Sequence, residues 1–199
     1  MILNHILLAF LWIVYCVLHS VLASEWIKKN MRRRMKNFKW YRLWYTLFAF
    51  AFFAGIIYFQ VEIATIELFK PNSFTVIAGY VLSISGLGLM FICIRKYFMN
   101  LSGVRSLFIE NFSNELQITG VHKYVRHPLY LGTFAFIWGL FLLIPYASLL
   151  ISNFIITVYT LIGIELEERK LFTEFGENYS EYRKKVPKLI PSFKLRRRQ

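Results

Sequence analysis

The sequence predicts an all-α integral membrane protein of about five transmembrane helices, the last two a hairpin, with cytoplasmic loops and a C-terminal tail. Three observations predict it. Five apolar runs occupy most of the chain, and a helix needs roughly 20 mostly apolar residues to cross the hydrocarbon. Of the 199 residues, 57% are hydrophobic and 19% aromatic, where a soluble domain averages about 45–50% apolar. The Lys and Arg residues lie between the apolar runs rather than along them. Length permits a single domain, 1–199, with a three-helix part over 1–96 and a second part over 97–199 holding the hairpin and tail.

Run one, Ile2 to Ala23, has full spanning length. It is too long for a signal-peptide core, and Ala23-Ser24-Glu25 leads into a basic segment, so a retained helix is expected. Lys28, Lys29, Arg32, Arg33, Arg34, Lys36, Lys39 and Arg42 follow without an acid among them. Run two, Leu43 to Ala64, is rich in aromatic residues, and run three extends from Ser73 to Ile94 and stops at Arg95-Lys96. Gly79, Ser83, Ser85, Gly86 and Gly88 give run three a small-residue face, the usual device for close helix packing. A polar stretch from Tyr97 to Arg126 precedes run four, Leu129 to Ile144, whose 16 residues reach only about 24 Å. Pro145 permits a turn, and run five extends from Ala147 to Ile164, its helical pattern continuing toward a stop at Gly176.

Alternating the five runs places all but Lys70 of the 24 Lys and Arg residues on one side. The positive-inside rule then puts the N-terminus outside and the C-terminus in the cytoplasm. The net charge of +13 follows from that topology. Anionic membrane lipids are its expected partners, and nucleic acid is not. All eleven acids are Glu, so no Ser-His-Asp triad or Asp-based metal cluster is possible. Cys16 and Cys93 lie in apolar runs and form neither a disulfide framework nor a metal site.

Two segments carry chemistry. In Gly120-Val-His-Lys-Tyr-Val-Arg-His-Pro-Leu-Tyr-Leu-Gly132, Pro128 suits the first turn of a helix and pushes His127 out of helical geometry. Arg126 and His127 then sit just ahead of run four, where free N–H groups and the helix dipole favour an anion. Arg126 adds a forked donor for a carboxylate. An ordinary helix start with interfacial anchors accounts for the same residues equally well. The second segment is Glu165, Glu167, Glu168 and Arg169 at the inner end of run five. Arg169 can pair with Glu165 at i,i+4, leaving Glu167 and Glu168 for a cationic amine, a sulfonium or ribose hydroxyls. A solvated helix end is the plain alternative. The hairpin brings the two segments together, with an anion-binding and a cation-binding end in reach of one ligand.

The order Arg-His-Pro-Leu-Tyr-Leu-Gly, then Glu-Glu-Arg-Lys-Leu, then Phe-Gly-Glu-Asn-Tyr-Ser-Glu-Tyr and Val-Pro resembles the isoprenylcysteine carboxyl methyltransferase and phospholipid methyltransferase superfamily over roughly the last 80 residues. The resemblance implies an S-adenosylmethionine-dependent methyltransferase, with Arg126, His127, Tyr130, Leu131, Gly132, Glu167 and Glu168 in the cofactor site. Leu166-Glu-Glu-Arg169, Val186-Pro-Lys-Leu-Ile-Pro191, His19-Ser20 and, more loosely, Leu101-Ser-Gly-Val-Arg105 look most like the membrane methanethiol S-methyltransferase branch. On that resemblance His19 and Arg105 are candidate catalytic residues, and the acceptor is a small-molecule or lipid-like thiol. Isoprenylcysteine enzymes carry an Arg four residues before the Glu-Glu pair; this chain has Gly163, which points away from a carboxylate acceptor.

An ionisable residue inside a membrane helix is a functional candidate by default, and His19 could accept a thiol proton. It could equally be an interfacial His bonded to a neighbouring helix. Rival readings are methylation of a prenylcysteine carboxylate or a phospholipid amine, and a non-catalytic membrane scaffold. A transporter would place its polar and broken-helix features at the midplane, whereas here they gather at one face.

Overall fold

The computed structural model describes residues 1–34, 39–101 and 116–191. The described regular elements are seven α-helices: α1 (Ile2–Ala23), α2 (Glu25–Arg34), α3 (Lys39–Glu62), α4 (Ser73–Leu101), α5 (Pro128–Leu143), α6 (Ala147–Phe175) and α7 (Glu177–Lys185). A 3₁₀ turn over Gly120–Lys123 precedes α5. Four of the helices are long and apolar enough to cross a membrane, namely α1, the Leu43–Glu62 part of α3, the Ser73–Arg95 part of α4, and α6. The apolar α5 is shorter, at 16 residues.

Expected and observed boundaries coincide for run one, and for run four to within a residue. The basic segment after run one holds a helix that apolar periodicity did not reveal. Ser24 breaks α1 with an extended backbone, and its hydroxyl caps α2 by accepting from the Ile27 N–H at 3.3 Å. Beyond Arg95, α4 continues to Leu101.

The helices contact in the order α3, α1, α6, α5, α4. Leu8 and Trp12 of α1 bury against Ile56 and Ile63, with Ile155 and Ile156 of α6 packed on the same cluster. Polar side chains tie the helices inside the apolar zone, where an unmet hydrogen bond is costly. The Gln60 side-chain oxygen accepts from Trp12 Nε1 at 3.4 Å and from Ser152 at 2.5 Å. Trp138 Nε1 donates to Thr157 at 3.1 Å, and Asn153 Nδ2 to the Ile137 carbonyl at 2.7 Å. The last two join α5 to α6 as the expected hairpin.

The closest packing is between α5 and α4, through part of the small-residue face read from run three. A Cβ on Gly86 would fall 2.6 Å from the Gly132 carbonyl oxygen, and one on Gly139 would fall 2.5 Å from Ser83 Oγ. Backbones in such contact gain dispersion attraction along their length. Ser85 and Gly88 are exposed and take no part.

Two groups of connections define the ends of the bundle. At one end, Thr65 Oγ1 is bonded to His5 Nε2 and accepts from the Ser148 N–H, each at 3.1 Å. The Leu68 N–H donates to the Pro145 carbonyl at 2.8 Å, and the Ala147 N–H to that of Ile66 at 2.9 Å. The start of α1, the α3–α4 connection and the α5–α6 turn therefore meet. The motif-bearing segments lie at the opposite end, with α2, α7 and the tail.

Substituting Gly139→Val should force α4 and α5 apart and lower stability by about 1–3 kcal/mol, the usual scale of overpacking. Gly88→Ala, where a Cβ meets nothing within 4 Å, should be neutral or slightly stabilising. Thermal unfolding in detergent, monitored by circular dichroism, compares the two.

Candidate active site

Pro128 opens α5 as its residue type dictates, and His127 stands before it at φ −121°, ψ 65°, outside the helical region. The Arg126 and His127 N–H groups donate to the Pro187 and Lys188 carbonyls at 2.9 and 3.1 Å. The tail thus runs alongside the entry to α5, and both side chains turn inward, 9% and 5% exposed.

There they meet α6. Arg126 Nε donates to Glu168 Oε1 at 2.8 Å, and its second terminal nitrogen lies 2.6 Å from the same oxygen. The remaining terminal nitrogen donates to the Val186 carbonyl at 2.6 Å and the Arg183 carbonyl at 3.2 Å. His127 Nε2 lies 3.2 Å from Glu168 Oε1; a carboxylate only accepts, so Nε2 carries the proton. Its Nδ1 is 3.8 Å from Glu167 Oε2. Tyr130 donates to that same oxygen at 3.1 Å and stacks on the His127 ring at 5.7 Å. Lys188 pairs with Glu165 and stands 3.6 Å from Glu168 Oε2.

Around this group, Tyr182 donates to the His122 carbonyl at 2.7 Å, and His122 Nδ1 to the Arg126 carbonyl at 3.1 Å. Tyr179 is buried beneath it, and desolvation together with the Glu168 carboxylate pushes its phenol up to about 12.

The emergence points of α5 and α6 are adjacent, and the structure brings Arg126, His127, Tyr130, Glu167 and Glu168 together. Several residues here have partners other than those expected. Arg126 was expected to face a ligand carboxylate, but its guanidinium is committed to Glu168 and two tail carbonyls, with the side chain 7% exposed. Glu165 was expected to pair with Arg169, and Lys188 of the tail takes that place. The acids do not sit at a helix end, because α6 continues to Phe175, about two turns beyond Glu168. Glu168 is 4% exposed, while the Glu167 side chain is 45% exposed and reaches solvent. Gly132 faces α4, where a Cβ would come 2.9 Å from the Gly86 carbonyl oxygen. Leu131 lies on the first turns of α5, its N–H donating to the His127 carbonyl at 3.1 Å.

His19 lies on the seam of α1 with α3. Its Nδ1 is 2.8 Å from the Tyr45 hydroxyl and its ring stacks on Tyr15 at 5.8 Å. This is the interfacial arrangement bonded to a neighbouring helix, and it assigns His19 no contact with the Glu167–Glu168 group. Arg105 lies outside the described residues. Lys188 and Tyr179 were not singled out from sequence. The only signal for Lys188 was its place between Pro187 and Pro191, and nothing in the sequence marks which way a tail lysine turns.

Comparisons with known proteins identify the family of the chain. A family model described as phospholipid methyltransferase matches residues 74–178. The chain is 28% identical over 188 residues to a methanethiol S-methyltransferase of Crocosphaera subtropica, covering 89% of this chain and 71% of that one. It is 35% identical over 104 residues to methanethiol S-methyltransferase 2 of Bradyrhizobium diazoefficiens, covering 50% of this chain and 39% of the relative. A protein-S-isoprenylcysteine O-methyltransferase of Schizosaccharomyces pombe is 39% identical over 84 residues, 41% of this chain and 35% of that one. No solved structure matches significantly.

Glu168→Gln should destabilise the protein by about 3–5 kcal/mol, since it leaves the Arg126 charge buried without its partner. Glu167→Gln, at an exposed carboxylate, should change stability by less than about 1 kcal/mol. Unfolding of the two variants side by side checks the division.

Proposed function

We propose that this membrane methyltransferase, which belongs to the phospholipid methyltransferase family, moves a methyl group from S-adenosylmethionine to a small or lipophilic thiol at the cytoplasmic face. The observation that carries the proposal is a half-exposed carboxylate, Glu167, at the same end as a partly exposed ammonium, Lys188, which is paired with Glu165. Glu167 is held by Tyr130 and 45% exposed, and Lys188, 33% exposed, stands beside Glu165 and Glu168. A zwitterionic sulfonium donor needs both signs within reach.

The residues fit such a donor. Glu168 Oε2 is buried and accepts no hydrogen bond among the described residues, leaving one acceptor for an ammonium or hydroxyl. In this reading Glu167 receives the donor's amino or ribose groups, and Lys188 rather than Arg126 meets its carboxylate. Arg126, Glu168 and His127 hold Glu167, Tyr130 and the tail in position. When bound, the donor supplies an activated methyl group: its C–S bond breaks with the pair left on its own sulfur, the acceptor sulfur's pair forms the new bond, and the thiol proton leaves to water. The chain contributes alignment, exclusion of water and an apolar surround that favours cancellation of charge.

Support for a thiol acceptor comes from the relatives named for methanethiol, one aligned over 89% of this chain. The similarity to an isoprenylcysteine O-methyltransferase over 41% of the chain supports a carboxylate acceptor as a second reading. The α5–α6 turn shares an end with the α3–α4 connection, which supports a reading of five crossings. The density of Lys and Arg at the other end supports a cytoplasmic site, with the N-terminus outside.

With labelled S-adenosylmethionine, the purified protein should label an alkanethiol in preference to an isoprenylcysteine or a phosphatidylethanolamine. Calorimetry should show Glu167→Gln weakening donor affinity about 10- to 100-fold, the scale of one hydrogen bond to a charged group. Unchanged affinity would remove Glu167 from the site.

A further inference from the structure

One turn on the site-facing side of α6 is left uncovered among the described residues. Tyr159, Gly163 and Glu167 follow at four-residue spacing, so they share a stripe about 12 Å long. A Cβ on Gly163 meets nothing within 4 Å. Elsewhere in the bundle, Gly79, Gly86, Gly132 and Gly139 are glycines because another helix presses within about 3 Å of them. No such neighbour among the described residues explains Gly163. Gly55 and Gly88 are equally open, but their stripes carry Ala51 and Phe59, and Ile84 and Ile92, with no polar group.

Helix side chains lean toward the N-terminus of their helix. Glu167 therefore leans over Gly163, while Tyr159 leans away from it, and the step between them stays clear. The Tyr159 hydroxyl shares a hydrogen bond of 3.0 Å with Ser20 of α1. At the other end of the stripe, Tyr130 of α5 donates to Glu167. Hydroxyls from α1, α5 and α6 thus bond at either end of the stripe that Gly163 interrupts, Ser20 with Tyr159 and Tyr130 with Glu167. The bond between Tyr159 and Ser20 joins α6 to α1, as hydroxyls between membrane helices commonly do. The Tyr159–Ser20 pair is exposed.

We propose that the step over Gly163 is the acceptor subsite, with the Tyr159–Ser20 pair donating its one uncommitted hydroxyl proton to the acceptor's sulfur. Hydroxyl donors favour an anionic thiolate over a cationic amine, and the space of one absent side chain suits a slender aliphatic thiol. The proposal rests on Glu167 holding the donor, and Tyr159 and Ser20 are positioning groups for the other substrate.

Tyr159→Phe, Ser20→Ala and Gly163→Val test it, with Gly163→Ala as a graded variant that a helix tolerates. Donor affinity by calorimetry should stay within about twofold of wild type in all four. Acceptor KM for a short alkanethiol should rise about tenfold in Tyr159→Phe, and Gly163→Val should penalise longer or branched thiols more than Gly163→Ala does. A variant that keeps donor affinity is folded, so an unchanged acceptor KM in both Tyr159→Phe and Gly163→Val overturns the assignment. Loss of donor affinity together with acceptor KM would also overturn it, by making the stripe part of the donor site. Wild-type protein that binds no donor would bring down the proposed function first, and this subsite with it.

Discussion

The buried pair of Arg126 and Glu168 is the constraint on which the site end of the molecule depends. Neither charge reaches solvent to any extent, and an ion taken out of water costs several kcal/mol unless its partners replace the lost hydration. Here they do so through short, charge-assisted hydrogen bonds between α5's entry and α6. The carbonyls of Arg183 and Val186 take up the guanidinium's other donors. Three segments distant in sequence, around 126, 168 and 186, are therefore fixed to one point. Glu167 and Tyr130 inherit their positions from it, one residue and four residues away on the same helices.

The division of labour between neighbouring glutamates follows. Residues 167 and 168 are about 100° apart around α6, so one turns into the protein against Arg126 and the other stays at the mouth. The same geometry commits the forked guanidinium of Arg126 to holding the inward-facing acid, Glu168.

The apolar architecture was legible in the sequence because lipid imposes long runs. Ile2–Ala23 and the Pro128 start of α5 emerge where periodicity and proline chemistry place them, and Gly79, Ser83 and Gly86 announce the α4–α5 contact. The adjacency of Arg126 and Glu167–Glu168 was legible too, since a tight turn at Pro145 leaves a hairpin no other arrangement. What could not be read was which charge meets which. Arg126, Arg169 and Lys188 are all plausible partners for the acids on spacing alone, and the choice depends on how the tail folds back, a matter of tertiary hydrogen bonds to the 187 and 188 carbonyls. His19 likewise carries no mark of whether it faces α3 or α6. The cap at Ser24 was visible as a residue type, but its helix, without an apolar stripe, was not.

The stapling of the tail to Arg126 has a bearing on biosynthesis. Chains emerge N-terminal end first, and membrane helices enter the bilayer as they are made. The spans through α6 are in place while residues 183–188 are still undelivered, so the guanidinium and its carboxylate face each other with half their partners missing. Assembly of this end of the bundle is thus deferred until residues 183–188 arrive, and a nascent chain halted short of residue 188 leaves Arg126 and Glu168 without their partners from that segment.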